Sequence, residues 1–575
     1  MRKVPLAAAL TAAFLSSTAA IAHDQDHAAP AAAAPAPKPL TAEEIATRNA
    51  ALNAPLPADQ AAMKAHVMYL ASDAMRGRDA GSKEYDIAAQ YVASQFYAAG
   101  LSPAGDNGSF LQQVPLINVK AADKGSVVWT PRGGAAMPLE FGRDYIPASN
   151  AAKSALVVDA PLAFVGYGIV EPGSKRDDYA GVDVRGKIVA AFGGAPPSLH
   201  PELRAHFSSG PTKRAIAESR GAIGLITIEP AASAKAGAFA RAAEGYDRPR
   251  VAWTGKDGVG VDPAAAAPPL ASISQAFAAK LFGGDWAAIA KGAENPETRF
   301  KPMLLPGRMK VAINSVSTPL PSSNVAGILP GSDPKLRDEV VVLSAHLDHV
   351  GVGRPNAAGD TIYNGAEDNA VGIASLIEEA KRFKASGKPP RRSILFLAVT
   401  AEEKGLVGAD YFAHNPSFGP TIQNGRMVAN VNLDMPIITY KFEDVIAFGA
   451  ERSTLGPIVK KAAASIGVGF SPDPMPEQGL FTRSDHYRFV QKGVPSVFLW
   501  PGQKGPGKAA VDDFFAKHYH QPSDEAWQPA LDWSQGVRFI EVNYAIAREI
   551  ADGDARPAWN KGDFFGTLFN GYGAK

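Results

Sequence analysis

Four stretches, "EVVVLSAH", "RSILFLAVT", "RMVANVNLDM" and "GVPSVFLW", are apolar almost without alternation. A strand with one wet face alternates apolar and polar residues. A strand that is apolar throughout must be covered on both faces, as parallel sheets between helices are. Helical patterns lie among these runs: "DNAVGIASLIEEAKRFKASG", ending at Gly387, and the closing "SQGVRFIEVNYAIAREIADG". From about Val311 onward this alternation predicts an α/β fold, a mixed, mostly parallel β-sheet sandwiched by helices. In such sheets the functional groups gather at the carboxyl ends of the strands.

Those ends carry the chemistry. "VVVLSAHLDHVG" ends in His346 and Asp348, and "NGAEDNAVG" puts Asp368 at a helix start. "FLAVTAEE" ends in Glu402 and Glu403, "ANVNLDM" in Asp434, and "KHYHQPSDE" supplies His518, Tyr519, His520 and Asp524. One histidine at a strand end, or two adjacent glutamates in a turn, says little. The set says more, because several carboxylates gathered at one sheet edge repel each other and resist ionisation. A divalent metal removes that conflict, and mixed histidine and carboxylate ligands suit zinc, with cobalt or manganese as substitutes. A central aspartate flanked on each side by one histidine and one carboxylate suits two ions bridged by a carboxylate.

The chain of 575 residues has room for more than one core. Its start, "MRKVPLAAALTAAFLSSTAAIAHD", reads as a secretory signal over residues 1–22, cleaved after Ala22. Losing Arg2 and Lys3 takes the net charge from +1 to −1 (+1 − 2), so no global charge favours nucleic acid. The reading is periplasmic or secreted, with no stable membrane insertion after cleavage. With no cysteine there are no disulfides and no lipid attachment through cysteine. Residues 23–40 are an Ala/Pro linker. Residues 41–150 read as the N-terminal part of the main domain, helical to about Pro115, 151–302 as a β-rich insert with some helix, and 303–575 as the catalytic part. The aromatic tail "PAWNKGDFFGTLFNGYGAK" is expected to dock against the body.

The ordered set "HLDHVG", "NGAEDNAVG", "TAEEKGLVG", "NLDM", "RSDHYRF" and "YHQPSDE" closely resembles the di-zinc metallopeptidases of family twenty-eight, which include bacterial aminopeptidases and glutamate carboxypeptidases. The likeness covers about Val311–Gly553, together with "YLASDAMRGRDAGSKEYDIAAQYVASQFYAAGLSPAG". The insert resembles a protease-associated domain. The resemblance implies the zinc-peptidase fold and two zinc ions. His346 and Asp434 would hold one ion, Glu403 and His520 the other, and Asp368 would bridge. Asp348 would orient the His346 ring by accepting its other N–H, with Asp524 beside His520 in a similar outer role. The Asp368–Asn369 peptide bond would be cis. Adjacent side chains on an extended segment point apart, so Glu403 can face metal while Glu402 faces the pocket as general base. Tyr519 would donate to the oxyanion and Arg483 would contact substrate. His349, His486 and His518 read as outer or surface residues.

The resulting expectation is an exported metallo-aminopeptidase acting on peptides. A carboxypeptidase or dipeptidase of the same family is the second reading. A metal-free binding protein on the same fold is the third, and the intact ligand set argues against it. Only a short segment follows Asp532, where the glutamate carboxypeptidases carry a long helical dimerisation region, so the aminopeptidase is favoured.

Overall fold

The computed structural model describes residues 41–230, 233–234, 237–527 and 531–575. The expected signal (1–22) and linker (23–40) lie outside the described residues. Among the described residues, no helix is long and apolar enough to cross a membrane.

The unbroken apolar runs form the middle of the main sheet. Strands Ser393–Val399, Glu339–His346, Arg426–Leu433 and Ser496–Pro501 lie side by side and parallel. Every residue of Glu339–His346 and of Ser393–Val399 is buried. Antiparallel strands close both sides, Ser322–Leu329 beside Ser393–Val399 and Asp444–Phe448 beside Ser496–Pro501. The sheet is therefore mixed with a parallel centre, as expected. Helix Val371–Ala385 packs against helix Ala58–Leu70 and the amphipathic helix Trp533–Asp552. Helix Lys83–Ala98 is capped by the Ser82 side chain and ends at Gly100, whose φ of 74° lets the chain turn back.

A second, ten-stranded sheet follows a different rule. Its strand Ala155–Phe164 alternates exposed and buried residues over its first half, so one face there is wet. This sheet is wider than the expected 151–302. Leu116–Ala121, Ser126–Thr130 and Tyr145–Pro147 belong to it on one side, and the long strand Met303–Pro319 on the other. Met303–Pro319 pairs with Ala155–Phe164 along one stretch and with Leu116–Ala121 along another. The chain re-enters the main sheet at Ser322–Leu329, beside its point of departure in Leu111–Val114. Residues 115 and 320–321 therefore join the two units.

The units also meet away from these strands. On helix Pro201–Ser208 of the inserted unit, Arg204 donates to the Glu477 carbonyl at 2.9 Å. His206 Nδ1 lies 2.6 Å from the Tyr487 hydroxyl. Trp253 donates to Asp410 at 2.6 Å. The aromatic tail does dock: Trp559 and Phe565 are buried, and Phe564 and Phe565 pack edge-on against His206.

Candidate metal centre

Four elements deliver donors to the carboxyl edge of the parallel strands. His346 is the last residue of its strand, and Asp434 directly follows Arg426–Leu433. Glu402 and Glu403 leave Ser393–Val399 through Ala401, and Asp368 sits in the turn ahead of Val371–Ala385. Ala401, Met435 and His520 take positive φ values of 54°, 45° and 53°. Such backbone is sparsely populated and concentrates at functional sites. The Asp368–Asn369 peptide bond is cis, as the resemblance implied. Asn369 then donates to the Leu433 carbonyl at 2.9 Å and accepts from the Met435 N–H at 3.2 Å, tying the Asp368 turn to the Asp434 loop.

The donors fall into two sets that share Asp368. On one side His346 Nε2 lies 3.1 Å from Asp434 Oδ1 and 3.2 Å from Asp368 Oδ1. On the other, His520 Nε2 lies 3.2 Å from both Asp368 Oδ2 and Glu403 Oε2. His349 joins this second set, its Nδ1 lying 2.8 Å from Glu403 Oε1 and 3.9 Å from Asp368 Oδ2. The ligand atoms of His346, Asp368 and Asp434 fall within 4.8 Å of one another, as do those of His349, Asp368 and Glu403.

This spacing provides a test of whether metal fits. Two ligands at about 2.0–2.1 Å from one zinc, at a tetrahedral angle, sit roughly 3.3 Å apart. The His346 and His520 contacts match that separation. Asp368 Oδ2 is buried without an aligned hydrogen bond, as expected of a donor aimed at a common centre rather than at a neighbour. The donor set fits zinc.

Two carboxylates behind the donors play matched parts. Asp348 accepts the backbone N–H groups of Glu402 (3.0 Å) and Glu403 (3.3 Å). Asp524 accepts those of Glu367 (2.9 Å) and Asp368 (3.0 Å). Each fixes a pair of successive residues that carries a donor. This corrects the role expected of Asp348: the group facing His346 Nδ1, at 3.0 Å, is the Asp348 backbone carbonyl, while its carboxylate is committed to the glutamate turn. His349 is fully buried and faces Glu403. His486 is fully buried too, between Phe481 and Phe498, whereas His518 turns to Ser523 and away from the donors.

The two glutamates are both buried, unlike a solvated turn, and they face different ways. Glu402 lines a small cleft with His346, Asp368, Asp434, Arg483, Tyr519 and His520, and Glu403 is absent from its wall. Burial pushes the Glu402 carboxyl well up; Asp434, Glu403 and Asp485 add to this, with His346 opposing. Burial also acts to raise Glu403, but His520 and His349 outweigh it and hold that carboxylate well down. Asp348 is pushed by burial up to about 6, with His346 pulling the other way.

Ser484 donates to Asp434 Oδ2 at 2.5 Å, and Trp500 donates to the Asp434 carbonyl at 2.8 Å. Tyr519 stacks on the His520 ring at 4.0 Å, and its hydroxyl is raised by burial and by the carboxylates Asp368 and Glu403. The sequence reading gave His349 only an outer or surface place, without its contact to Glu403, and did not name Ser484. For His349 a signal existed: "HLDH" places a second imidazole three residues after the first. A wider cleft opens between the inserted unit and helix Val407–His414, and none of the donors lines it.

Residues 324–547 match the family model described as Peptidase family M28. The chain is 29% identical over 242 residues to leupeptin-inactivating enzyme 1 of Streptomyces exfoliatus, covering 42% of this chain and 48% of that protein. It is 27% identical over 205 residues to aminopeptidase YwaD of Bacillus subtilis, covering 35% and 39%. The chain spans about half or less of the length of these curated relatives. An aminopeptidase from Aneurinibacillus sp. strain AM-1 superposes at a TM-score of 0.44 with 18% identity, over 85% of this chain and 93% of that one.

Proposed function

We propose, from the premise that this chain belongs to peptidase family M28 through residues 324–547, that it is an exported aminopeptidase with a dinuclear zinc centre. The observation carrying this reading is the buried pair of donor sets that share Asp368, with Glu402 alone of the two glutamates facing the cleft.

His346 and Asp434 would hold one ion, Glu403 and His520 the other, and Asp368 would offer one oxygen to each. His349 would donate Nδ1–H to Glu403, leaving its second oxygen for metal. Zinc held there supplies Lewis acidity to the scissile carbonyl and to water. Glu402 accepts a proton from the attacking water as the new C–O bond forms. It then gives that proton to the departing amine nitrogen as the C–N bond breaks, which returns the carboxylate to its starting state. Tyr519, on the cleft wall, would donate to the oxygen that gains charge, and Arg483 would contact a substrate carbonyl or carboxylate group.

Glu402, which is not a proposed metal ligand, leaves a carboxyl group on the cleft wall that suits a free α-ammonium group. Met435, Leu480, Phe498 and Phe515 supply apolar wall for the first side chain. The substrate class this supports is a peptide with a free N-terminus and an apolar first residue. The N-terminal signal pattern supports action in the periplasm or outside the cell.

The test is hydrolysis of a leucyl peptide by the mature protein, with free and with acetylated N-terminus, before and after chelation. Cleavage of the free peptide alone, lost on chelation and restored by zinc, is the expected result. Removal of the C-terminal residue from both peptides would replace the aminopeptidase reading with a carboxypeptidase one.

A further inference from the structure

Arg78 comes from the N-terminal segment, outside residues 324–547, and is fully buried. It arrives through a turn that depends on Gly77. That residue has a φ of 67°, and a Cβ there would lie 2.5 Å from the carbonyl oxygens of both Gly351 and Tyr363. The guanidinium sits near Asp368, Asp524, Asp348 and Glu403, yet its hydrogen bonds run to backbone carbonyls. Nε donates to Leu347 at 2.8 Å. Nη1 donates to Asn364 at 2.5 Å and to Leu70 at 3.2 Å, and Nη2 to Gly365 at 2.7 Å. Leu347 lies between His346 and Asp348, and Asn364–Gly365 lead into Asp368.

A guanidinium is a planar fork with five N–H donors, so it can hold several carbonyls at fixed separation. Here it spans the loop that carries His346 and His349 and the loop that carries Asp368. Its charge works against metal, because a fixed cation beside the centre repels divalent ions. The same charge favours the ionised form of the neighbouring carboxylates, so geometry is separated from charge by a variant that keeps the cation.

We propose that Arg78 is a positioning residue for the metal centre, locking loop 346–349 to loop 364–368 and so setting the spacing of His346 and His349 from Asp368. This rests on the reading of the centre as a zinc site.

The experiment measures zinc affinity by chelator competition on folded, metal-stripped full-length protein, with amide hydrogen exchange of 344–349 and 364–370 on the same samples. If the wild type takes up no zinc, the metal reading itself is overturned, and this proposal with it. If the wild type binds, Arg78→Met is expected to weaken zinc affinity about 10–100-fold, the range for residues that orient metal ligands, and to speed exchange in both loops. Affinity that is unchanged or tighter in Arg78→Met would show the arginine acting only as a charge or as general structure, and would overturn the proposal while leaving the zinc site standing. Arg78→Lys separates geometry from charge, and carries the test alone should Arg78→Met fail to fold. It keeps the charge but cannot span both loops, so weakened affinity supports the fork and wild-type affinity refutes it.

Discussion

His206 joins the inserted unit to the catalytic body, and its environment makes a numerical demand. The imidazole is 5% exposed, ringed by Phe207, Tyr487, Phe564, Phe565 and Phe569. Burial lowers its pKa from 6.5 to about 4. In the unfolded chain the ring gains a proton as pH falls through 6.5, while the folded ring stays neutral until about 4. The unfolded state binds more protons across that window, so stability rises with pH there and is lost as pH falls. For these two values, linkage removes about 2 kcal/mol between pH 7 and pH 5 and approaches about 3 kcal/mol below pH 4. His206→Gln keeps an acceptor for the Tyr487 hydroxyl and removes the titration. Urea midpoints of both proteins at pH 7 and pH 5 isolate the effect, because every other titrating group cancels in the difference of differences. The variant should lose about 2 kcal/mol less than wild type over that interval. Equal pH dependence, within about 0.5 kcal/mol, would mean that the ring is solvated in the folded state, and the docking of helix Pro201–Ser208 described above would be refuted.

Glu402→Gln should retain zinc and fold while turnover falls about 10²–10⁴-fold; comparing metal content with initial rates checks this, and near-wild-type turnover would remove Glu402 as the base. Asp368→Ala takes a donor from both sets, so metal analysis should find little bound zinc and a lower melting temperature, and retention of two ions would refute bridging. Asp524→Ala leaves the Glu367 and Asp368 N–H groups buried without acceptors, a cost of about 1–3 kcal/mol each, read as a lower urea midpoint in the metal-free protein. Gly77→Ala pushes a methyl into two carbonyls at positive φ and should destabilise by more than about 3 kcal/mol; a stable variant would show that the turn delivering Arg78 can relax.

What the sequence determined is whatever depends on local pattern. Unbroken apolar runs cannot tolerate a wet face, so Glu339–His346 and Ser393–Val399 had to be inner strands, and the residues that follow them had to emerge at one edge. That pattern puts His346, Asp434 and the glutamate pair at the same sheet edge. The tertiary structure alone decided which polar atom meets which. Asp348 could have offered His346 its carboxylate or its carbonyl. The choice fell to the carbonyl because the N–H groups of Glu402 and Glu403, more than fifty residues away in sequence, claim the carboxylate. Arg78 was equally illegible, since a guanidinium looks the same in sequence whether it meets water or a buried carbonyl. The second sheet outgrew its expected limits for a related reason. Met303–Pro319 belongs to it through pairing with Ala155–Phe164, about 150 residues away, and period alone does not record a partner at that distance. Apolar periodicity is written residue by residue, whereas hydrogen-bond satisfaction is settled among groups that meet only once the chain has folded.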